Sequence, residues 1–410
     1  MSLKKRTTEE VKTDENSQES STLTRRQFLK KAGASVLALS FGGLLWRAVD
    51  QGVFSTGKGP AYEPWSMEEF DRATGAMALV HSAVLASNPH NSQPWLFNVS
   101  ESSIAVFADS SRGLGTMDPL RREMHMGLGC ALENLMLSAE ANGYSARLIY
   151  ASSESESNDV ARIELSPGAK RDSLLYQAIA KRHTHRGAYH TGRAVPPRLL
   201  QDFEQLCKDE TDVKLVWLTT PELRKTAGDL VISATEAIIA DEEMSHDSNK
   251  WYRDDWNDLQ KYRDGLTLDA QGGPLWIRAA GKMLPPVSHD NANQFWLNST
   301  RKTHTPTAAA YGLLAVRDAG SKEERLRAGR IWQRIHLKGT SEGLAMHPLN
   351  QPIEMRDREI QLGSGSSQYG QQLGNLMNDA GWEVLFLFRI GYPLEEASPS
   401  PRRAVDDVVL

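Results

Sequence analysis

The sequence predicts an α+β chain in which one structural unit occurs twice. Three observations lead there. The segment Gly129–Gly143 is echoed by Gly329–Gly343 at a constant offset of 200 residues. Strand-like runs occur once in each copy, at Pro94-Trp95-Leu96-Phe97-Asn98-Val99 and Lys214-Leu215-Val216-Trp217-Leu218. The chain has 410 residues, 40% of them hydrophobic and 24% charged, enough for two domains around a sizeable core.

The repeated segment reads as a helix. Leu132, Leu135 and Met136 fall at helical spacing, and Trp332 and Ile335 repeat the pattern. Ala139 and Gly339 are small enough to let another helix approach closely. Gly143 and Gly343 stand where a helix-terminating glycine belongs.

The N-terminus reads as an address. Residues 1–22 are polar, and Thr24-Arg25-Arg26-Gln27-Phe28-Leu29-Lys30 precedes an apolar run from Ala32 to Trp46. A basic region followed by a short apolar run is the grammar of a signal peptide. The arginine pair followed by Phe-Leu-Lys resembles the twin-arginine consensus. That resemblance implies the twin-arginine export machinery as a partner. It also implies a location in the periplasm or on the outer face of the cytoplasmic membrane. No Ala-x-Ala closes the run, so cleavage stays open; uncleaved, the segment is a membrane tether.

Residues 1–50 therefore form a tail plus signal, 62–165 a first half and 171–410 a second half. The boundary falls in the polar run Ser152–Asp159, before a short strand at Arg162–Leu165 and a helix that starts at Ser173. The second half carries an insertion, 241–305, with Trp251, Tyr252, Trp256, Tyr262, Trp276, Phe295 and Trp296 among many charges. A net charge of −5 gives no sign of nucleic-acid binding. Two cysteines, Cys130 and Cys207, are too few for a disulfide framework and read as buried thiols.

Two segments carry candidate chemistry. The first, Ala86-Ser87-Asn88-Pro89-His90-Asn91-Ser92-Gln93-Pro94-Trp95, offers amides and hydroxyls at a loop tip. The second, Arg182-His183-Thr184-His185-Arg186, places two guanidinium forks and a hydroxyl after a helix, which suits phosphate and planar carbonyls. His183 and His185 lack a neighbouring carboxylate or cysteine set, so they are not read as a metal pair.

These two segments resemble the flavin-contacting motifs of the nitroreductase family, Asn-x-Gln-Pro-Trp and Arg-x-Ser-x-Lys/Arg. In that family the flavin lies between two subunits, each supplying one motif. Here Asn91-Ser-Gln-Pro-Trp95 stands in the first half and Arg182–Arg186 in the second, each once. Lys58–Trp65 and Asp212–Trp217 stand where the missing partners would be. The arrangement resembles the fused, Acg-type branch of the family. The resemblance implies two nitroreductase-like halves forming an internal pseudo-dimer that can be monomeric. Each half would be a mostly antiparallel sheet with flanking helices.

It further implies FMN as cofactor. Arg182, His183 and Thr184 would hold phosphate or ribityl oxygens, with help from Arg402 or Arg403. Arg186 would stabilise charge near the flavin N1. Asn88, Pro89, His90 and Asn91 would hold the other side. Asn350 and Gln351 replace a Glu-Gly pair that faces the flavin N5 in many members. No catalytic residue is assigned. Two functions stay open: an FMN-dependent oxidoreductase passing hydride or electrons between small molecules, and a non-catalytic protein that stores or sequesters FMN under a lid.

Overall fold

The computed structural model describes residues 42–152, 158–285, 287–365 and 367–410. The expected export motif, Thr24–Lys30, and residues 153–157 of the boundary run lie outside them. Among the described residues no helix is long and apolar enough to cross a membrane. The folded body is Ala48–Leu410.

The first half opens with α1 (Met67–Arg72) and α2 (Gly75–Val84). An apolar stretch, Ala78–Val84, buries α2 almost completely. Strands β1 (Trp95–Val99) and β2 (Ser103–Ala108) form a hairpin, followed by α3 (Arg122–Ala141), β3 (Tyr144–Tyr150) and β4 (Asp159–Pro167). The sheet order is β1-β2-β4-β3, and every pairing is antiparallel.

The second half begins with α4 (Leu174–Ala178), capped by the Ser173 side chain, then α5 (Pro197–Glu204), β5 (Val213–Leu218) and α6 (Pro221–Ala240). Helices α7 (Glu242–Asn249), α8 (Trp256–Tyr262), α9 (Leu275–Met283) and α10 (His289–Ser299) make an excursion. The chain returns through β6 (Ala310–Val316), α11 (Lys322–Ser341), β7 (Ala345–Pro348), α12 (Gln351–Gln361), α13 (Gln368–Met377) and β8 (Glu383–Gly391). This sheet runs β5-β6-β8-β7, again antiparallel throughout.

The two sheets share one strand order. In each, a long helix joins the second strand to the third, and α11 starts and ends 200 residues after α3. Both helices stop at a glycine in the left-handed region, Gly143 at φ +83° and Gly343 at φ +70°, where a side chain would be strained. The α+β fold with antiparallel sheets and flanking helices is the one expected. One connection differs in length. A turn at 100–102 joins β1 to β2, whereas 219–309 joins β5 to β6; the expected insertion, 241–305, lies inside that span. The longer span arises because α6 packs into the body, with Ala227, Val231 and Ala234 buried.

Helices α3 and α11 meet through their glycines. A Cβ on Gly129 would lie 2.2 Å from the Leu326 carbonyl oxygen, and one on Gly329 would lie 2.2 Å from that of Met126. Backbones this close leave no room for a methyl group. Across the same contact Gln333 donates to Asn134 Oδ1 at 2.8 Å. One apolar core runs through both halves, from Trp95 and Leu132 to Trp332 and Phe388. Both cysteines are free and buried.

The C-terminal tail leaves β8 and returns to the first sheet. Phe97 N–H donates to Val408 O, and Leu410 N–H to Phe97 O, both at 2.8 Å. The last residues thus extend β1 as a parallel neighbour.

Candidate functional site

The loop between α2 and β1 is strained. His90, Asn91 and Gln93 all have positive φ, at 47°, 56° and 53°, which is costly for residues with a Cβ. Side-chain bonds hold the turn. Asn88 Oδ1 accepts from Gln93 N–H at 2.8 Å, and Gln93 itself donates to Arg263 O and accepts from Arg403 N–H, both at 2.8 Å. Asn91 is buried, donating to Pro401 O at 2.8 Å and Gly265 O at 3.2 Å, and its Oδ1 accepts from Arg402. Asn88 and Pro89 rest on Gly127 of α3, where a Cβ would come within 2.9 Å of Pro89 Cδ.

The Arg182–Arg186 loop comes from the other half and reaches the same place. Arg182 is 2% exposed and donates to Leu85 O at 3.0 Å. Arg402 is 3% exposed and donates to Ala86 O at 3.3 Å. The two guanidiniums lie 5.9 Å and 4.9 Å from the Trp65 ring centroid, and His183 meets the same ring at 4.6 Å. Among the described residues neither arginine has a carboxylate within ion-pair distance. The Nε of each, and Nδ1 of His183, are buried with no protein partner.

Burial sets the electrostatics here. It pushes Arg182 down to about 10, with Arg186 adding to the shift, and it lowers Arg402 further, helped by Arg182. Burial and the two arginines hold His183 at about 3, so its ring is neutral. Two buried cations without a counter-ion are unfavourable unless an anion completes them. The donor set therefore fits a phosphate, which takes guanidinium forks and a neutral imidazole N–H.

Arg186 sits apart from this pair. It is half-buried and donates to Ala270 O at 3.3 Å; burial brings it to about 10. Its charge, after burial, helps hold His90 at about 4. Thr184 and Arg186 line a cavity of about 250 Å³, whose other walls include Ala270, Gly272–Pro274, Arg278 and Glu395–Ser398. The excursion contacts both motifs: beside the Arg186–Ala270 bond, Gly265 N–H donates to Asn91 O at 3.1 Å, and His90 Nε2 lies 3.2 Å from Ser248 Oγ.

Three expected residues lie elsewhere or are already engaged. Arg403 turns away from Arg182, donating to Asp407 O and lying 3.9 Å from Asp109. Asn350 donates to Glu123 at 2.9 Å and accepts from Leu387 N–H at 3.0 Å, which ties its amide into the frame. Gln351 is buried at the start of α12 with its Oε1 unpartnered. Two contributors were not read from the sequence. Trp65 was visible only as part of a segment lacking the arginine motif. Arg389, fully buried, donates to Gly187 O at 2.7 Å and to His304 O at 3.1 Å, fixing the Arg186 loop; no pattern in the surrounding strand marks it.

The mirror position on the other side of α3 and α11 is filled. Gly127 corresponds to Arg327, which pairs with Asp212 and with Glu323 at 2.5 Å. Gln333 corresponds to Glu133, which binds Arg330 at 2.9 Å and Arg334 at 2.7 Å. Cations there are neutralised within the chain, unlike Arg182 and Arg402.

Fold and site together define a chain of two antiparallel-sheet halves whose seam holds an arginine pair, Arg182 and Arg402, that no carboxylate of the described residues neutralises. No family model matches the chain. Its sequence is similar to the putative NAD(P)H nitroreductase Rv3131 of Mycobacterium tuberculosis, 24% identical over 368 residues that cover 86% of this chain and 95% of that protein. The putative NAD(P)H nitroreductase acg of the same organism is 30% identical over 110 residues, 26% of this chain and 33% of that protein. Among solved structures, the FMN-dependent nitroreductase NfnB of Mycobacterium smegmatis, in complex with NADPH, aligns to 57% of this chain and 96% of its own, at 14% identity and a TM-score of 0.35. A putative nitroreductase from Anabaena variabilis aligns to 71% and 69%, at 13% identity and a TM-score of 0.39.

Proposed function

We propose that the protein is an FMN-dependent, nitroreductase-like oxidoreductase, with the cofactor held between two halves derived by duplication. The observation that carries this reading is the buried pair Arg182 and Arg402, which one phosphate would complete. The similarity to putative NAD(P)H nitroreductases along most of the chain supports it.

Bound FMN would supply hydride acceptance from NAD(P)H and electron donation to a small acceptor. The chain's own groups divide the work. Arg182 and Arg402 would grip the phosphate, with Asn91 fixing the Arg402 fork and His183 offering a neutral N–H. Thr184 lies next along the loop, where a hydroxyl can meet the ribityl chain. Arg186 would hold a fixed positive charge beside the isoalloxazine ring, which favours its reduced, anionic form. Roofing by the excursion would keep water from the site.

Reading the protein instead as a flavin store has one specific support: Asn350, where relatives by motif carry a Glu, has its amide committed to Glu123 and Leu387. The resemblance of Thr24–Lys30 to a twin-arginine signal supports export to the periplasm, or, if the segment stays uncleaved, to the outer face of the cytoplasmic membrane with Ala32–Trp46 as tether.

Reconstitution with FMN tests the cofactor, and the ratio expected is one per chain. A protein that takes up none, or two, overturns the reading. Anaerobic NADPH titration then separates the two functions: bleaching of bound flavin supports the oxidoreductase, and oxidised flavin under excess NADPH supports storage.

A further inference from the structure

At the heads of α3 and α12 lies a group of buried charges that the mechanism does not use. Arg122 is fully buried and donates to Asp357 at 2.6 Å and to Glu123 at 3.3 Å. Arg356 holds the other Asp357 oxygen at 3.0 and 2.7 Å. Arg325, from α11, faces the same group while donating to the Ala319 and Leu120 carbonyls. Asp118, ahead of α3, accepts from the N–H groups of Glu123 at 3.0 Å and Met124 at 2.9 Å. Glu354, from α12, is buried and hydrogen-bonded to Glu123.

Four carboxyls, Asp118, Glu123, Glu354 and Asp357, thus face three guanidiniums, Arg122, Arg325 and Arg356, among the described residues. Fully ionised, the group would bury one negative charge with no partner, which is strongly unfavourable. A single proton restores the balance. The hydrogen bonds say where it sits. A carboxylate can only accept, so a bond between Glu123 and Glu354 requires a proton on one of them. Asp357 is taken by two guanidiniums and Asp118 by two amides, contacts that suit the ionised form. Glu123 already accepts from Arg122 and, at 2.9 Å, from Asn350. Glu354 has no guanidinium or amide on its carboxyl among the described residues, which makes it the donor. Burial, with the Glu123 charge next, holds Glu354 well above the ordinary carboxylate range.

We propose that Glu354 and Glu123 share one proton across the seam between the two halves, and that this proton is a pH-sensitive clamp, closed in acid and neutral solution and released in alkali. Glu123 belongs to the first half and Glu354 to the second, so loss of the proton sets two like charges against each other between them. The Asn350 amide, which links Glu123 to Leu387 N–H at the head of α12, would be freed with it. The clamp is independent of the flavin reading. Its sign follows from linkage. Unfolding returns Glu354 to its ordinary value of 4.5, below its folded one. The stability it contributes is therefore full in acid and is lost as pH rises towards the folded value.

The test compares the full chain with Glu354→Gln, which keeps the shape and a donor towards Glu123 but carries no proton to lose. Urea melts are run between pH 7 and 8, above the ordinary histidine range. Across that interval the unfolding constant of the parent should rise about tenfold more than that of the variant. Equal pH dependences overturn the proposal. Infrared spectra of the parent provide a second measurement that needs no variant. At pH 7 they should show the carbonyl stretch of a protonated carboxyl that moves on labelling with carbon-13 glutamate. Absence of that band overturns the proposal even if Glu354→Gln does not fold. A band that moves only with labelled aspartate overturns it in favour of a proton on Asp118.

Discussion

Arg402 carries its guanidinium 4.9 Å from the centre of the Trp65 ring, and Arg182 carries its own 5.9 Å from the same centre. An aromatic face attracts both cations and offsets part of their mutual repulsion. Each such contact is worth about 0.5–2 kcal/mol. Trp65→Leu should therefore weaken FMN binding by roughly 3–30-fold, read by flavin fluorescence titration. An unchanged dissociation constant would place Trp65 outside the site.

The two C-terminal arginines should separate cleanly. Arg182→Ala removes a buried charge-assisted donor, worth about 1.5–3 kcal/mol, so the dissociation constant for FMN should rise about 10–150-fold. Arg402→Ala should behave alike. Arg403→Ala, whose side chain faces Asp109 and Asp407, should change it by less than about threefold. Equal losses at 402 and 403 would refute the placement.

Arg186→Ala should act on the potential more than on the grip. Its guanidinium is apart from the phosphate pair and beside the cavity. Removing a fixed cation there should lower the midpoint potential of the bound flavin. Spectroelectrochemistry on the reconstituted variant decides it, and an unshifted potential locates Arg186 away from the ring.

Two glycine substitutions should have opposite signs. Gly129→Ala puts a Cβ 2.2 Å from the Leu326 carbonyl, so the helices must part, at a cost of about 1–3 kcal/mol. Gly374→Ala, in α13 with nothing within 4 Å, should stabilise by about 0.5–1 kcal/mol through helix propensity. Denaturation midpoints of the two variants test the pair; a harmless Gly129→Ala would mean the helix contact is loose.

Stability should fall in mild acid. Burial holds His90 at about 4 and His183 at about 3, both below the ordinary 6.5. The unfolded chain then takes up protons first, so the stability these rings contribute is complete above pH 6.5 and is lost as pH drops towards 4. Each adds up to about 1.4 kcal/mol per pH unit across that window. Urea melts at several pH values should show the slope, and His90→Gln should flatten it.

Periodic features of the sequence translated directly into structure. The offset that pairs Gly129 with Gly329 marks the two long helices because close helix packing demands small residues on both partners. Arg182 and Asn91 were legible because loop chemistry concentrates in short runs. Arg389 and Trp65 were not, since their roles come from distant chain segments folding beside them. Arg402 and Arg403 are neighbours with different partners, Asn91 and Ala86 for the first and Asp407 and Asp109 for the second, a distinction no motif records. Asn350 stands at the expected loop, yet Glu123, 227 positions away, engages its amide.

The C-terminal tail has a consequence in time. Asn91 and Arg402 are bonded across 311 positions of chain, and β1 receives its outer neighbour only from Val408 and Leu410. At about 5–20 residues per second, the ribosome releases that partner roughly 15–60 s after the Asn91 loop has emerged. Until then the first sheet has an open edge at Phe97, and the strained turn at His90–Gln93 lacks its bonds to Pro401, Arg402 and Arg403. A chain cut short by even its last few residues would keep that edge exposed.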